Sequence, residues 1–203
     1  MTSTQKNALI IFVRTPLLGK VKTRLAATVG NGQALKIYVQ LLQHTKKVAG
    51  GANSTCFVFY ADEIQLNDMW PLPMFSKKLQ ANGDLGHRMQ NAFEEVFAEG
   101  YQKVCIVGSD CPGLTTNHID NAFELLNNNE VVIGPSYDGG YYLLAMKILQ
   151  CNLFKNIPWS TAEVMVDTIS KLNHVGTSFA LLTKLSDVDT EGDWLDNKHL
   201  LLV

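Results

Sequence analysis

The stretch Lys103-Val-Cys-Ile-Val-Gly-Ser-Asp-Cys-Pro-Gly113 constrains this chain more than any other. Val104 to Val107 is an apolar run, β-branched at three of its four positions and bounded by turn residues. That is the pattern of a central strand covered on both faces. Gly108 permits backbone conformations that other residues resist, and Pro112 has no N–H to continue a ladder. The strand therefore stops and delivers one carboxylate, Asp110, into a loop. Ligands of open α/β sheets sit just outside the carboxyl ends of the strands. Asp110 thus stands where a functional carboxylate is expected; the plainer alternative is that it only caps the next turn.

The rest of the chain repeats this arrangement. Ala8 to Val13 reads as a first, central strand, Cys56 to Tyr60 as a second, and Glu130 to Gly134 as a later one. Tyr141 to Met146 is expected to run antiparallel to its neighbour, and Thr177 to Leu182 closes the set. Between them, Ala34, Ile37, Tyr38, Leu41, Leu42, Thr45 and Val48 recur at helical spacing, with Gly50-Gly51 as the stop. Asp84 is expected to cap a helix carrying Leu85, Met89, Ala92, Phe93, Val96 and Phe97. Thr116 is expected to cap one carrying Ile119, Ala122, Phe123 and Leu126. Ser160-Thr-Ala-Glu163 has the form of a capping box. Residues 63–83 read as irregular. The alternation predicts one α/β domain over residues 1–203 with a mostly parallel sheet and one antiparallel excursion.

Charge is distributed unevenly. Residues 1–50 hold eight Lys or Arg and no acid, while the remaining 153 hold nine basic and nineteen acidic residues. Such asymmetry points to a local anionic partner. An acidic remainder argues against a broad nucleic-acid surface. The cations concentrate in Arg14-Thr-Pro-Leu-Leu-Gly-Lys-Val-Lys-Thr-Arg24, a loop that contains Arg14, Lys20, Lys22 and Arg24 and no acid. Arg binds phosphate bidentately and Lys adds a point charge, so a small phosphorylated ligand is expected here. In extended backbone Lys22 and Arg24 would share a face.

Several familiar chemistries are excluded. A Walker loop needs Gly where Arg14 stands and Ser or Thr where Val21 stands. No G-x-G-x-x-G follows a predicted strand. The four cysteines form no CxxC pair and have no histidines at zinc spacing; Cys111 is a candidate thiol, but no local histidine activates it. The five histidines lie in or beside predicted helices, and no Ser-His-Asp set is indicated. No stretch approaches the roughly 20 apolar residues of a membrane helix. The polar start, Met1 to Asn7, precedes an apolar run too brief for a secretion signal, so a cytoplasmic protein is expected.

A cation-rich loop together with separate carboxylates suits a nucleotide phosphate bridged to Mg²⁺ or Mn²⁺, ions that take oxygen ligands. The motifs extend this. Phe12 to Leu25, Gln80 with Gly83-Asp-Leu-Gly86 and Arg88-Met89, Gly108 to Gly113, Gly134-Pro135 with Asp138-Gly-Gly-Tyr141, Trp159-Ser160, and Asp187-Val-Asp-Thr190 follow one another through nearly the whole chain. In that order they resemble the GT-A-type glycosyltransferase and nucleotidyltransferase superfamily. Within it they resemble a bacterial family of GT-A glycosyltransferases related to 2-phospholactate guanylyltransferase and the molybdenum-cofactor guanylyltransferases.

The resemblance implies a three-layer α/β/α fold of the nucleotide-diphospho-sugar transferase kind. It implies that residues 12–24, with Arg14, Gly19, Lys20, Lys22 and Arg24, hold the nucleotide, assisted by Gln80, Arg88 and Ser109. It makes Asp110 and Asp189 the ligands of Mg²⁺ or Mn²⁺ and gives Asp110 and Asp138 catalytic roles. Gly139, Gly140 and Tyr141 fall on the acceptor side. Two positions depart from the pattern: Arg14 replaces a more frequent Lys, and Glu191 replaces a Pro that would stiffen the last helix start. The expected activity is metal-dependent transfer from a nucleotide sugar to a small acceptor. The alternatives are nucleotidyl transfer from an NTP to a phosphorylated acceptor, and nucleotide binding without catalysis.

Overall fold

The computed structural model describes residues 6–201; the reading of the N-terminal stretch as no secretion signal rests partly on residues 1–5, outside that range. Seven strands form one sheet in the order β3-β2-β1-β4-β6-β5-β7. They are β1 (Asn7–Val13), β2 (Thr55–Tyr60), β3 (Phe75–Leu79), β4 (Lys103–Val107), β5 (Val131–Pro135), β6 (Tyr141–Met146) and β7 (Phe179–Leu181). All neighbours pair in parallel except β6, which is antiparallel to both β4 and β5. The mostly parallel sheet with one antiparallel excursion at 141–146 is borne out.

β1 and β4 sit centrally and are buried almost throughout, which is why their sequences read as continuous rather than alternating apolar runs. One face packs against α2 (Asn31–Gly51) and α4 (Thr116–Leu125), through Tyr38, Leu42, Ile119 and Phe123. The other packs against α3 (Leu85–Ala98) and α5 (Val164–Val175), through Met89, Phe93, Val96 and Leu172. A third, smaller cluster joins Leu25 of α1 (Thr23–Val29) to Ala34, Ile37 and Leu41 of α2 and to Val188. The last helix, α6, spans Glu191–Asn197. Among the described residues no helix is long and apolar enough to cross a membrane.

Local expectations differ from the structure at several points. Residues 63–83 are not wholly irregular, because they contain β3. Phe75-Ser-Lys-Lys-Leu79 lacks the apolar pattern of a strand because it lies at the sheet edge, and edge strands carry charge that discourages further pairing. α2 ends at Gly51, where the glycine pair was expected to stop it, but the C-cap is Ala52 and both glycines lie within the helix. A Cβ on Gly51 would lie 2.9 Å from the Thr116 hydroxyl, so the glycine instead allows α2 and α4 to approach. Thr115, not Thr116, is the N-cap of α4, since the Thr116 hydroxyl donates to Val48 O.

Ser160 to Glu163 forms no capping box. Ser160 has φ +67°, and α5 begins only at Val164, because Met165 N donates 2.9 Å to Gly139 O and ties this segment to the β5–β6 turn. Asp84 does cap α3, accepting from His87 N at 2.8 Å.

Candidate active site

Four chain segments meet at the carboxyl ends of β1, β4 and β5 and at the start of β6. They surround a cleft of about 680 Å³. β1 leads into the cationic loop, whose start is fastened by Tyr38: its hydroxyl accepts from Arg14 N at 2.9 Å and donates to Arg14 O at 3.1 Å. Gly19 turns the loop with φ +72°. Val21 is then buried and Lys22 adopts left-handed backbone, φ 47° and ψ 49°, immediately before α1. The expected extended geometry is therefore absent at Lys22, because Thr23 already begins a helix. A non-glycine residue in this conformation is strained, and such strain gathers at functional sites.

The outcome for the side chains is nonetheless convergence. Lys22 Nζ lies 3.0 Å from Asp110 Oδ2 and 3.0 Å from Asp189 Oδ1. Arg24 reaches Asp189 Oδ2 at 3.7 Å. Lys22 is 7% exposed at its side chain, against 73% for Arg24. Burial alone would lower the Lys22 pKa, but the charges of Asp110 and Asp189 outweigh it and hold the ammonium protonated above its ordinary range.

Asp110 and Asp189 are brought together by backbone. β7 and the residues after it continue alongside β5: Leu185 N donates to Pro135 O at 3.1 Å and Tyr137 N to Leu185 O at 3.0 Å. Val188 N then donates to Asp110 O at 2.9 Å, and the Val188 side chain is fully buried among α1 and α2. With Val188 turned inward, Asp187 and Asp189 both line the cleft, as alternation along extended backbone requires. Thr190 caps α6, accepting from Asp193 N at 3.3 Å, so the capping role falls to it and not to Asp189.

Asp187 belongs to the last motif, but the resemblance assigns it no role. Its Oδ1 is buried with no hydrogen-bond partner among the described residues. Burial first, then the charges of Asp110 and Asp138, push its carboxyl well above the usual range. The alternation Asp187-Val188-Asp189 was the available signal.

The remaining expected residues are distributed as follows. Arg14, Lys20, Gln80, Arg88, Ser109, Asp138, Gly140 and Tyr141 line the same cleft. Gln80 is buried; its Nε2 donates to Phe59 O at 2.9 Å and to Val13 O at 3.4 Å, and its Oε1 accepts from Arg88 at 3.3 Å. Gln80 thus orients Arg88, and the Asp84 carboxylate caps α3 instead of pairing with Arg88. Ser109 is buried beside the Tyr38 hydroxyl. Asp138 is an anchor of the β5–β6 turn: its Oδ1 accepts from Ser136 and, at 3.0 Å, from Gly140 N. Gly19 and Gly139 are not among the lining residues. Gly139 has φ +92° and its missing Cβ would fall 2.3 Å from Ala162 O, so it fits the turn against the 159–162 segment. Cys111 is buried, which raises its thiol pKa and disfavours the thiolate.

The donor set is oxygen-rich, as Mg²⁺ and Mn²⁺ require. Four carboxyl groups, Asp110, Asp138, Asp187 and Asp189, line the cleft, and the buried Asp187 Oδ1 lacks a hydrogen-bond donor among the described residues. Among the described residues no three His, Cys, Asp or Glu side chains stand ready as a coordination cluster. The two-carboxylate pair closed by Lys22 is the nearest arrangement, and one or two carboxylates suffice for Mg²⁺ when phosphates supply further oxygens.

Comparison with known proteins agrees with the fold. The crystal structure of a "putative nucleotide-diphospho-sugar transferase" from Desulfovibrio desulfuricans G20 superposes with a TM-score of 0.84, at 27% identity over 96% of both chains. CMP:2-keto-3-deoxy-manno-octonic acid synthetase, solved with CTP, shares the fold alone, with a TM-score of 0.58 at 12% identity over 97% of this chain and 98% of that one. The 2-phospho-L-lactate guanylyltransferase of Methanocaldococcus vulcanius is 25% identical over 146 residues. That match covers 68% of this chain and only 61% of the guanylyltransferase. Residues 40–161 match a family model, and the chain belongs to the family it describes, "Uncharacterized protein conserved in bacteria (DUF2064)".

Proposed function

We propose that the chain is a divalent-metal-assisted transferase that draws on a nucleotide-activated donor, with a nucleotide sugar as that donor. The observation that carries this reading is the meeting of Lys22 and Arg24 with Asp110 and Asp189 at one rim of the sheet, within a cleft large enough for a nucleotide. Similarity to the Desulfovibrio protein over nearly the full length supports it.

In this reading Arg14, Lys20 and Arg24 attract the diphosphate, since guanidinium and ammonium groups match phosphate oxygens. Arg88, held by Gln80, adds a positioned donor to the same cleft. Asp110 and Asp189 hold Mg²⁺ or Mn²⁺. When bound, the ion offsets the negative charge that builds on the leaving diphosphate. Asp138, fixed through Oδ1, offers Oδ2 to the acceptor hydroxyl. That oxygen loses its proton to Asp138 as it bonds to the anomeric carbon, and the nucleoside diphosphate departs with the electrons of the broken C–O bond. Gly140 and Tyr141 form the acceptor side.

A second reading has its own support in the similarity to the Methanocaldococcus guanylyltransferase. Here a phosphorylated acceptor attacks the α-phosphate of an NTP and pyrophosphate leaves. The test incubates the protein with a panel of nucleotide sugars and NTPs, with Mg²⁺ or Mn²⁺ and candidate acceptors. Release of nucleoside diphosphate supports sugar transfer, and release of pyrophosphate supports nucleotidyl transfer. If nucleotides bind in calorimetry and no donor turns over with either metal, the chain only binds nucleotide and the transferase proposal fails.

A further inference from the structure

Lys22 is oddly placed for a phosphate ligand. Its ammonium is buried at 3.0 Å from each of the two carboxylates proposed to hold the metal. The lone pairs that accept from an ammonium at this distance are those that would contact an ion at about 2.1 Å. An ion seated between Asp110 Oδ2 and Asp189 Oδ1 would compete with the ammonium for those two oxygens, and like charges repel there. Arg24, in contrast, is exposed and pairs with Asp189 at the longer distance of 3.7 Å. The left-handed backbone at Lys22 sets the root of the side chain, leaving the flexible four-carbon stem to move.

We propose that Lys22 is the built-in occupant of the divalent-cation seat, an internal cation that clamps Asp110 to Asp189 until a divalent ion displaces it. The proposal rests on the reading that these two aspartates are the ion's ligands. The free protein then binds the ion weakly, because every binding event must first break the two pairs of a buried ammonium with half-exposed carboxylates. The displaced ammonium becomes available to the donor's phosphates, so that nucleotide and ion favour each other's binding.

The test is a titration of the full-length protein with Mn²⁺ and no nucleotide, following the electron paramagnetic resonance signal of the free ion. The wild type is compared with Lys22→Met, Arg24→Met and the double variant Lys22→Met/Asp110→Asn. Lys22→Met is expected to bind Mn²⁺ roughly tenfold more tightly than wild type, or better, because the competing buried charge is gone. Arg24→Met removes an equal but exposed charge and is expected to change affinity less than about threefold. The double variant is expected to lose the gain. Circular dichroism melts check that each variant folds, and Lys22→Gln, which keeps hydrogen-bonding capacity without the charge, replaces Lys22→Met if the latter is unfolded. Equal affinity in wild type and the Lys22 variant, or an equal gain from Arg24→Met, overturns the proposal while leaving the cation seat in place. Absence of Mn²⁺ binding in every protein overturns it together with the seat itself.

Discussion

At Asp110 the backbone carbonyl and the carboxylate do different work: the first accepts from Val188 N, the second pairs with Lys22. Asp110→Asn leaves the carbonyl and hence the junction between segments. It is expected to fold, with a melting temperature close to wild type, and to lose turnover by about 100-fold or more, the scale of removing one electrostatic element from a transition state. Steady-state rates with whichever donor of the panel turns over check this. Gln80 behaves oppositely. Gln80→Leu strips the donors from Val13 O and Phe59 O and releases Arg88. Val13 O keeps its bond from Ala61 N at 2.9 Å, so what is lost is two side-chain hydrogen bonds to backbone, expected to cost about 1–3 kcal/mol in urea unfolding. At this scale the charged residues themselves were legible, because a purely positive loop and strand-end acids stand out in composition. What could not be read was which backbone conformation would aim them: Lys22 reaches the two aspartates from left-handed backbone, not from the extended geometry its spacing suggested.

Elements were legible where burial is symmetrical or periodic and not where it is partial. The central strands β1 and β4 and the stripes of α2 and α3 stood out. β3 did not, having only Phe75 buried, nor did α1, a helix of seven residues opened by no side-chain cap. The segment leading into β3 is held by Asp68, which accepts from Tyr60 at 2.5 Å, Lys77 at 2.7 Å and Trp70 N at 3.0 Å. Burial would raise the Asp68 pKa, but these hydrogen bonds and the Lys77 charge lower it overall. A carboxyl depressed in the folded state stabilises above its unfolded pKa of about 4 and loses that contribution as pH falls through the folded value. The stability gap between wild type and Asp68→Asn is therefore expected to be full at pH 6 and to shrink below pH 4, as urea titrations at each pH can follow. At the β5–β6 turn, Gly139→Ala places a methyl against Ala162 O in backbone that disfavours a side chain. It is expected to lower the melting temperature by several degrees, about 1–3 kcal/mol, and to raise the acceptor KM more than the donor KM.

For the molecule as a whole, the sheet order was only partly written in the sequence. The antiparallel run at 141–146 was legible from the Asp-Gly-Gly turn, but its position between β4 and β5 was not, since it depends on which strands find each other across long separations. The same long-range closure brings the first and last segments of the described chain to one cleft. A nucleotide bound there touches segments far apart in sequence and should stabilise the fold globally. At a hundredfold excess over its dissociation constant it is expected to add about 2.7 kcal/mol and to raise the melting temperature by about 5 °C or more, measurable by thermal shift with and without Mg²⁺.

The seating of Val188 between α1 and α2 has an outcome for shortened versions of this polypeptide. A product of premature termination after Ser186 would retain all seven strands, yet it would leave Asp110 without its mate, Lys22 half-paired and a hole beside Leu25 and Ile37. Its spectrum would look native while its chemistry was gone, so a reading frame cut there should count as a null allele however well its protein survives in the cell.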